Sequence, residues 1–376
     1  MKHNRNTMRR LLLSIILLTT ITLSAQQYHH FPIKDASKEH IRILFAGDAM
    51  QHSIQFKWAW NPTTRSYNYE PNFRYLQPYL AQAEVNIVNV ETTFPGSKYS
   101  GYPQFRSPDD FFHAMLEAGF NVFALANNHI NDSGQKGLMR TLKLIKPHPT
   151  MGAYLNASER EQQYPIILHV DGLKIALFNT TYGTNQIPPV APNIINYIET
   201  EQIEMDIAKS LKDSTIDLRI MYIHWGSEYE LKHNSYQKGL AQWLADLGFD
   251  VIIGSHPHVV QDQDTITAAD GRQVPVVYSL GNLVSNQRWE NSNGGVMLLL
   301  DINRETKQLD LQFVPYYVHK GRLAGEGDPR HQNTANYYCI PTFDYINGRL
   351  PFVLDETAVS ELETFHQNTV ERLNLE

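Results

Sequence analysis

Cysteine is almost absent from this chain: among 376 residues the only one is Cys339. That excludes an intrachain disulfide and a structural zinc site built on clustered thiolates. Stability must therefore come from a packed core, and Cys339 reads as a small buried hydrophobe ahead of a reactive thiol. Charge is also sparse, at 19% of residues, and the formal net charge is −7. That sign argues against nucleic acid as a general partner. There is no glycine-rich phosphate loop and no Gly-x-Ser-x-Gly elbow. Internal repeats and low-complexity linkers are missing as well.

Hydrophobic residues make up 42% of the chain, enough for a globular core in one large domain or two modest ones. The first 25 residues read as a signal peptide. Lys2, Arg5, Arg9 and Arg10 form a basic head, Leu11 to Leu23 is apolar, and Ser24-Ala25 offers a cleavage point. The apolar run is too short for a comfortable membrane span, which leaves an uncleaved anchor as the alternative. Export to the periplasm or cell envelope is the expectation. Removing this segment takes away four basic side chains and no acid, moving the net charge from −7 to −11. An anionic substrate would then need local positive charge, which a bound metal could supply.

From Ile41 onward, apolar runs of strand length repeatedly end on polar, ligand-type residues. Ile41 to Ala46 leads to Gly47-Asp48, Val85 to Val90 to Glu91, and Asn121 to Ala126 to Asn127-Asn128-His129. Leu218 to Ile223 leads to His224, Val251 to Ile253 to His256-Pro257-His258, and Val274 to Tyr278 to Ser279-Leu280-Gly281-Asn282. Trp58 to Tyr75 reads as a loop over the site and Tyr75 to Ala83 as helical. Ser107 and Ser133 read as caps of the helices that follow them. Asp171-Gly172 marks a hairpin. Val296 to Ile302 and Leu309 to Val314 suggest a second hairpin, and Glu356 to Leu373 a peripheral helix. Strand, loop and helix recur in the pattern of stacked sheets covered by helices. Residues 26–325 read as the main domain and 326–376 as a C-terminal extension packed on it.

Asp, Glu, Asn and His are the donors that hard and borderline divalent metals take. A carboxylate at a strand end, as at Asp48 or Glu91, serves equally well as a cap or a surface acid when taken alone. Asn128 offers an amide oxygen, and the adjacent His129 a general acid. His224 at a strand exit is a neutral nitrogen ligand, and Glu228 stands either behind it or as a plain loop acid. In an extended segment His256 and His258 would point the same way and converge on one ion or two. Ser279 and Asn282 read as loop support.

These segments, in this order, resemble the CapA-like poly-γ-glutamate capsule synthesis accessory proteins, a divergent branch of the calcineurin-like metallophosphoesterases. The resemblance runs from about Ile41 to Val318 and implies an α/β fold, a four-layer α/β/β/α sandwich with a metal site at strand ends. It implies Asp48, Glu91, Asn128, His224, His256 and His258 as ligands of one or two divalent ions (Mn, Zn, Fe or Mg), with His129 as general acid. Supporting positions are His52, Asn89, Glu228, Ser279 and Asn282. Two departures stand out. The phosphoesterase pattern opens Asp-x-His, whereas Asp48-Ala49-Met50 lacks the imidazole, and His52 is the nearest substitute. The bridging position carries Glu91 in place of aspartate. The expected activity is a metal-dependent hydrolase or transferase on a phosphoester or a γ-glutamyl amide of an anionic polymer. The alternative is a non-catalytic accessory protein that binds such a polymer or its synthase. Envelope polymer-synthesis proteins are the expected partners.

Overall fold

The computed structural model describes residues 27–35, 37–324 and 335–375. The first 25 residues, read above as a signal peptide, lie outside them. Among the described residues no helix is long and apolar enough to cross a membrane.

Two large sheets face each other. The first has the strand order Tyr28–Phe31, Ile166–Val170, Leu173–Thr181, Leu218–His224, Val251–Ser255, Gln273–Val277 and Gln263–Thr267. The second runs Asn336–Pro341, Leu309–Gly321, Gly294–Asn303, His40–Ala49, Val85–Val90, Val122–Ala124 and Thr150–Met151, with Asn282–Val284 also paired to His40–Ala49. The central strands of both sheets are parallel.

Side-chain alternation builds three apolar layers from these two sheets. Ile41, Ile43 and Phe45 face the first sheet's Ile175, Ile220 and Val251 across the middle. Their neighbours Leu44 and Ala46 point the other way, onto Phe111, Met115, Leu138 and Leu142 of the helices Asp109–Ala118 and Gly134–Ile145. On the far side Ala176, Met221 and Ile252 meet Ile203 and Ile207 of Thr200–Lys212 and Leu244 of Ser235–Leu247. A strand apolar on both faces needs cover on both. The result is the expected four-layer α/β/β/α sandwich.

The hairpin at Asp171-Gly172 forms with φ of 45° and 86°, the doubly positive geometry of a tight two-residue turn. The second hairpin pairs Gly294–Asn303 with Leu309–Gly321. The segment read as a C-terminal extension supplies the edge strand Asn336–Pro341 and the helix Glu356–Leu373. That helix places Leu362, Phe365 and Leu373 in the apolar layer between the sheets, so it is not peripheral. Cys339 is fully buried, as expected of a small hydrophobe.

Three local expectations need correction. Ser133 does stand at the N-cap of Gly134–Ile145, whereas Pro108 takes that place ahead of Asp109–Ala118, and neither Ser107 nor Ser133 caps through its hydroxyl. Ser107 and Ser133 pair with Thr92 Oγ1 (2.6 Å) and Thr93 Oγ1 (2.5 Å), steadying the loop just after Glu91. Trp58 to Tyr75 is not a loop over the site. It holds the end of the helix Ser53–Ala59, a two-residue hairpin and the helix Glu70–Phe73. Tyr69 and Phe73 bury against Phe111, because the helical layer offers apolar partners. From Tyr75 to Ala83 only Gln77–Leu80 is α-helical, and Pro71 and Pro78 each sit in the first turn of a separate short helix.

Candidate metal centre

The parallel strands of both sheets deliver their C-terminal ends to one edge of the sandwich, where open α/β sheets place ligands. At Asp48 the register with Val85–Val90 shifts between Ala46 and Asp48, a local bulge that re-aims the side chain. Gly47 sits inside it because a Cβ there would come within 1.9 Å of the Gly281 carbonyl oxygen. Gly254 is confined in the same way, 1.9 Å from the Tyr278 carbonyl oxygen.

Asp48 is fully buried. Its Oδ1 accepts from Asn89 Nδ2 at 2.8 Å; its Oδ2 accepts from the His256 backbone N–H at 3.2 Å and lies 3.0 Å from His258 Nδ1. Asn89 also lies 3.4 Å from Glu91 Oε2 and accepts from Asn127 Nδ2 at 3.0 Å, so it holds both carboxylates in place. Glu91 Oε1 is buried with no hydrogen-bond partner, 3.7 Å from His224 Nε2 and 3.8 Å from His258 Nε2. His224 is fixed at both nitrogens, with Ser255 Oγ 2.9 Å from Nδ1 and Asn128 Oδ1 3.0 Å from Nε2. Tyr182 packs its ring over His256 at 4.6 Å.

The structure thus brings Asp48, Glu91, Asn128, His224, His256 and His258 into one cluster drawn from both sheets. Three overlapping groups place their ligand atoms within 4.8 Å of one another: Glu91-His224-His256, Asp48-Glu91-His258 and Glu228-His256-His258. Glu228 is solvent-exposed yet belongs to the last group. His256 and His258 meet by a different route from the expected one. The segment is not extended, since both residues have positive φ, 100° and 58°. Such backbone is costly for a side-chain-bearing residue and collects at functional sites.

The electrostatics suit a cation. Burial, then the neighbouring imidazoles, push the pKa values of His224 and His256 well below the usual histidine range, so both present neutral rings. Burial and the Asp48 carboxylate push Glu91 well above the usual carboxylate range. Buried acceptors normally find a donor. Here Glu91 Oε1 and His256 Nδ1 have none and lie among further oxygen and nitrogen donors. The residues present therefore fit a divalent ion of mixed oxygen and nitrogen preference.

His129 stands beside this cluster. Its Nδ1 is 2.7 Å from Asp132 Oδ2, and its ring packs edge-on against Phe105 at 4.6 Å. Asn185 accepts from Asn128 Nδ2 at 3.3 Å and reaches His129 Nδ1 at 3.4 Å. A cavity of about 840 Å³ opens here, lined among others by Met50, His52, His129, Glu228, His258 and Arg288. His52 is in none of the ligand groups. Its backbone N–H donates to Gln55 Oε1 (2.7 Å) at the start of Ser53–Ala59, its Nδ1 accepts from the Asn286 N–H (3.3 Å), and burial lowers its pKa to about 4. Ser279 donates to the Val259 carbonyl (2.8 Å) and Asn282 to the His258 carbonyl (3.1 Å), both holding loops.

Asp132, Ser255, Asn185 and Arg288 were not singled out from sequence. Asp132 had a readable sign, three residues after His129 on the same loop. Ser255, between Gly254 and His256, had a weaker one. Asn185 and Arg288 had none.

The family model for the bacterial capsule synthesis protein PGA_cap matches residues 42–287. That is just under two-thirds of the chain. The chain belongs to this family. It is similar to the capsule biosynthesis protein CapA of Bacillus anthracis, 27% identical over 91% of this chain and 82% of that one. It is also similar to the PGA biosynthesis protein CapA of Bacillus subtilis (strain 168), 24% identical over 86% and 85%. A solved Staphylococcus aureus chain, assigned as a 5'-nucleotidase and crystallised with α-ketoglutarate, aligns at 14% identity with a TM-score of 0.46. The alignment covers 87% of this chain and 58% of that longer one. The span matched by the PGA_cap model contains the whole cluster and ends at Gln287, inside the loop that follows Asn282–Val284, so Arg288 falls just beyond it. The edge strand Asn336–Pro341 and the helix Glu356–Leu373 lie beyond it.

Proposed function

We propose that this PGA_cap chain is an exported, metal-dependent hydrolase or transferase. It acts on an anionic polymer in the synthesis or processing of a capsule of poly-γ-glutamate type, alongside envelope polymer-synthesis proteins. The observation that carries the reading is the partnerless, fully buried Glu91 Oε1 facing His224 and His258. Asp48, Glu91, Asn128, His224, His256 and His258 would hold one or two divalent ions. When bound, such an ion polarises the attacked centre and acidifies water. Asn89 and Ser255 position Asp48 and His224. Asp132 engages His129 Nδ1, leaving Nε2 to donate a proton to the leaving atom of a phosphoester or amide. Tyr182 packs its ring against His256. Export rests on the basic head and apolar run before residue 26.

The test is metal analysis of protein purified from its own cells, with turnover of a generic phosphodiester and of a γ-linked glutamate polymer. We expect one or two equivalents of divalent ion, lost in Glu91→Gln and His256→Ala. A wild-type protein that takes up no divalent metal sinks the reading. Met50 favours a second reading, that of an accessory protein. It is buried and lines the cavity where the phosphoesterase pattern has an imidazole. Polymer binding with full metal content and no turnover would select it.

A further inference from the structure

The cavity beside the cluster shares a lining residue with a neighbour. A second cavity of about 770 Å³ lies along the sandwich, lined by Tyr317, His319, Lys320 and the first turns of Glu356–Leu373. Arg288 lines both cavities. It is the fixed cation among the residues lining the first one, which also offers aromatics, histidines, Met50, two amides and the single carboxylate Glu228.

The Arg288 guanidinium donates to the carbonyls of Gln287 (3.2 Å) and Val318 (3.4 Å) and sits over the Tyr337 ring at 5.6 Å. Among the described residues no carboxylate comes within salt-bridge distance of it, although Glu361 in the second cavity is near enough to act on its charge. Its loop is pinned on several sides: the Asn286 N–H donates to His52 Nδ1 (3.3 Å), Tyr337 Oη donates to Asn286 Oδ1 (2.5 Å), and Gln287 Nε2 donates to Tyr229 Oη (3.1 Å). A guanidinium held in place without an acid partner is preorganised for an anion supplied from outside. Trp289 and Tyr102, 65% and 81% exposed, flank the same cavity as flat apolar surfaces. In the second cavity Glu361 accepts from Tyr317 Oη (2.5 Å) and Asp355 from the Ala358 N–H (2.9 Å), which orients two of its three carboxylates without removing their charge. Glu356 is the third. Lys320 carries a second positive charge on this path, and burial together with Arg288 lowers its pKa.

We propose that the two cavities form one polymer groove and that Arg288 is a substrate-positioning residue at their junction, taking an anionic side group some way along the chain from the bond at the metal cluster. This deepens the function proposed above and rests on it. It commits the substrate to an extended, repeatedly anionic chain longer than one cavity, and it makes affinity depend on length.

The probes are γ-linked glutamate oligomers of increasing length and, as a second anionic source, inorganic polyphosphates of matched length. Binding is followed by titration calorimetry of the full-length protein, with metal content measured on the same samples. We expect wild-type affinity to rise with length. Arg288→Gln should weaken the longer oligomers by roughly ten- to a hundredfold, the loss of one charge-assisted contact, with metal content unchanged. Arg288→Lys should restore only part of that loss. Lys320→Gln should weaken only the longest oligomers. The oligomer series that shows the Arg288 effect identifies the anion. Equal affinity in wild type and Arg288→Gln, or wild-type affinity independent of length, overturns the inference. Wild-type protein that loads metal yet binds neither series overturns the inference and leaves the metal reading standing. Failure to take up metal sinks that reading, while the length series still judges Arg288.

Discussion

His129 and Asp132 make the sharpest case at the scale of single residues. The imidazole is held at Nδ1 by a carboxylate that also accepts the Phe105 backbone N–H at 2.6 Å. Asp132 is therefore both an orienter and a loop strut. His129→Ala should leave metal content unchanged and lower turnover by roughly 100- to 10,000-fold. Asp132→Asn should keep the loop bond through its remaining carbonyl oxygen and lower turnover less. Metal content falling in step with activity in His129→Ala would make His129 a ligand. The six ligand-type residues were legible in the sequence because each closes an apolar run with a donor side chain. Asp132 was less so, since nothing in the chain announces that a turn will fold it back onto His129. Arg288 was illegible: a loop arginine faces a cavity or water according to contacts made by distant residues, here Val318 and Tyr337.

At the scale of elements, the strand ends determine the site. The buried strands and the Asp171-Gly172 hairpin could be read from periodicity and turn chemistry, because those rules are local. The pairing of Asn282–Val284 with His40–Ala49 could not, because it joins segments more than two hundred residues apart through a register shift. Close backbone approach at Gly47 and Gly254 is the device that makes such pairing fit. In Gly254→Ala the new methyl would press on the Tyr278 carbonyl oxygen, which is backbone and cannot swing away. We expect a loss of about 1–3 kcal/mol in stability, toward the upper end, read as a lower denaturant midpoint at unchanged slope. It should also weaken metal uptake, because His256 lies two residues on. A wild-type midpoint would show that the strands can part there at no cost.

The whole molecule depends on its last helix more than the sequence suggested. Glu356–Leu373 looked peripheral, yet Phe365 sits in the central apolar layer. The helix is also tied to the site's half of the fold: Arg372 Nη1 donates to the Val260 carbonyl (3.1 Å) and Gln263 Nε2 to the Leu373 carbonyl (2.6 Å). Phe365→Ala should cost about 3–5 kcal/mol, measured by chemical denaturation of the metal-loaded protein. A change below 1 kcal/mol would return the helix to the periphery. The sequence hid this role because an amphipathic helix shows which face it buries and not what it buries that face against.

The cluster takes Asp48, Glu91 and Asn128 from one sheet and His224, His256 and His258 from the other. Tyr222 Oη, reaching across to the Ala46 carbonyl at 2.7 Å, spans the same gap. Elsewhere the sheets meet mainly through interchangeable apolar contacts, which resist separation but hardly resist sliding. An ion seated at that rim would act as a rivet between two plates, and withdrawing it would leave the plates free to shear at one end only. Amide exchange in the presence of a chelator should therefore speed up at residues 46–50, 89–92, 224–227 and 254–259, while the strand middles keep their protection. In such a molecule the availability of metal would set the stiffness of the working edge as well as its chemistry.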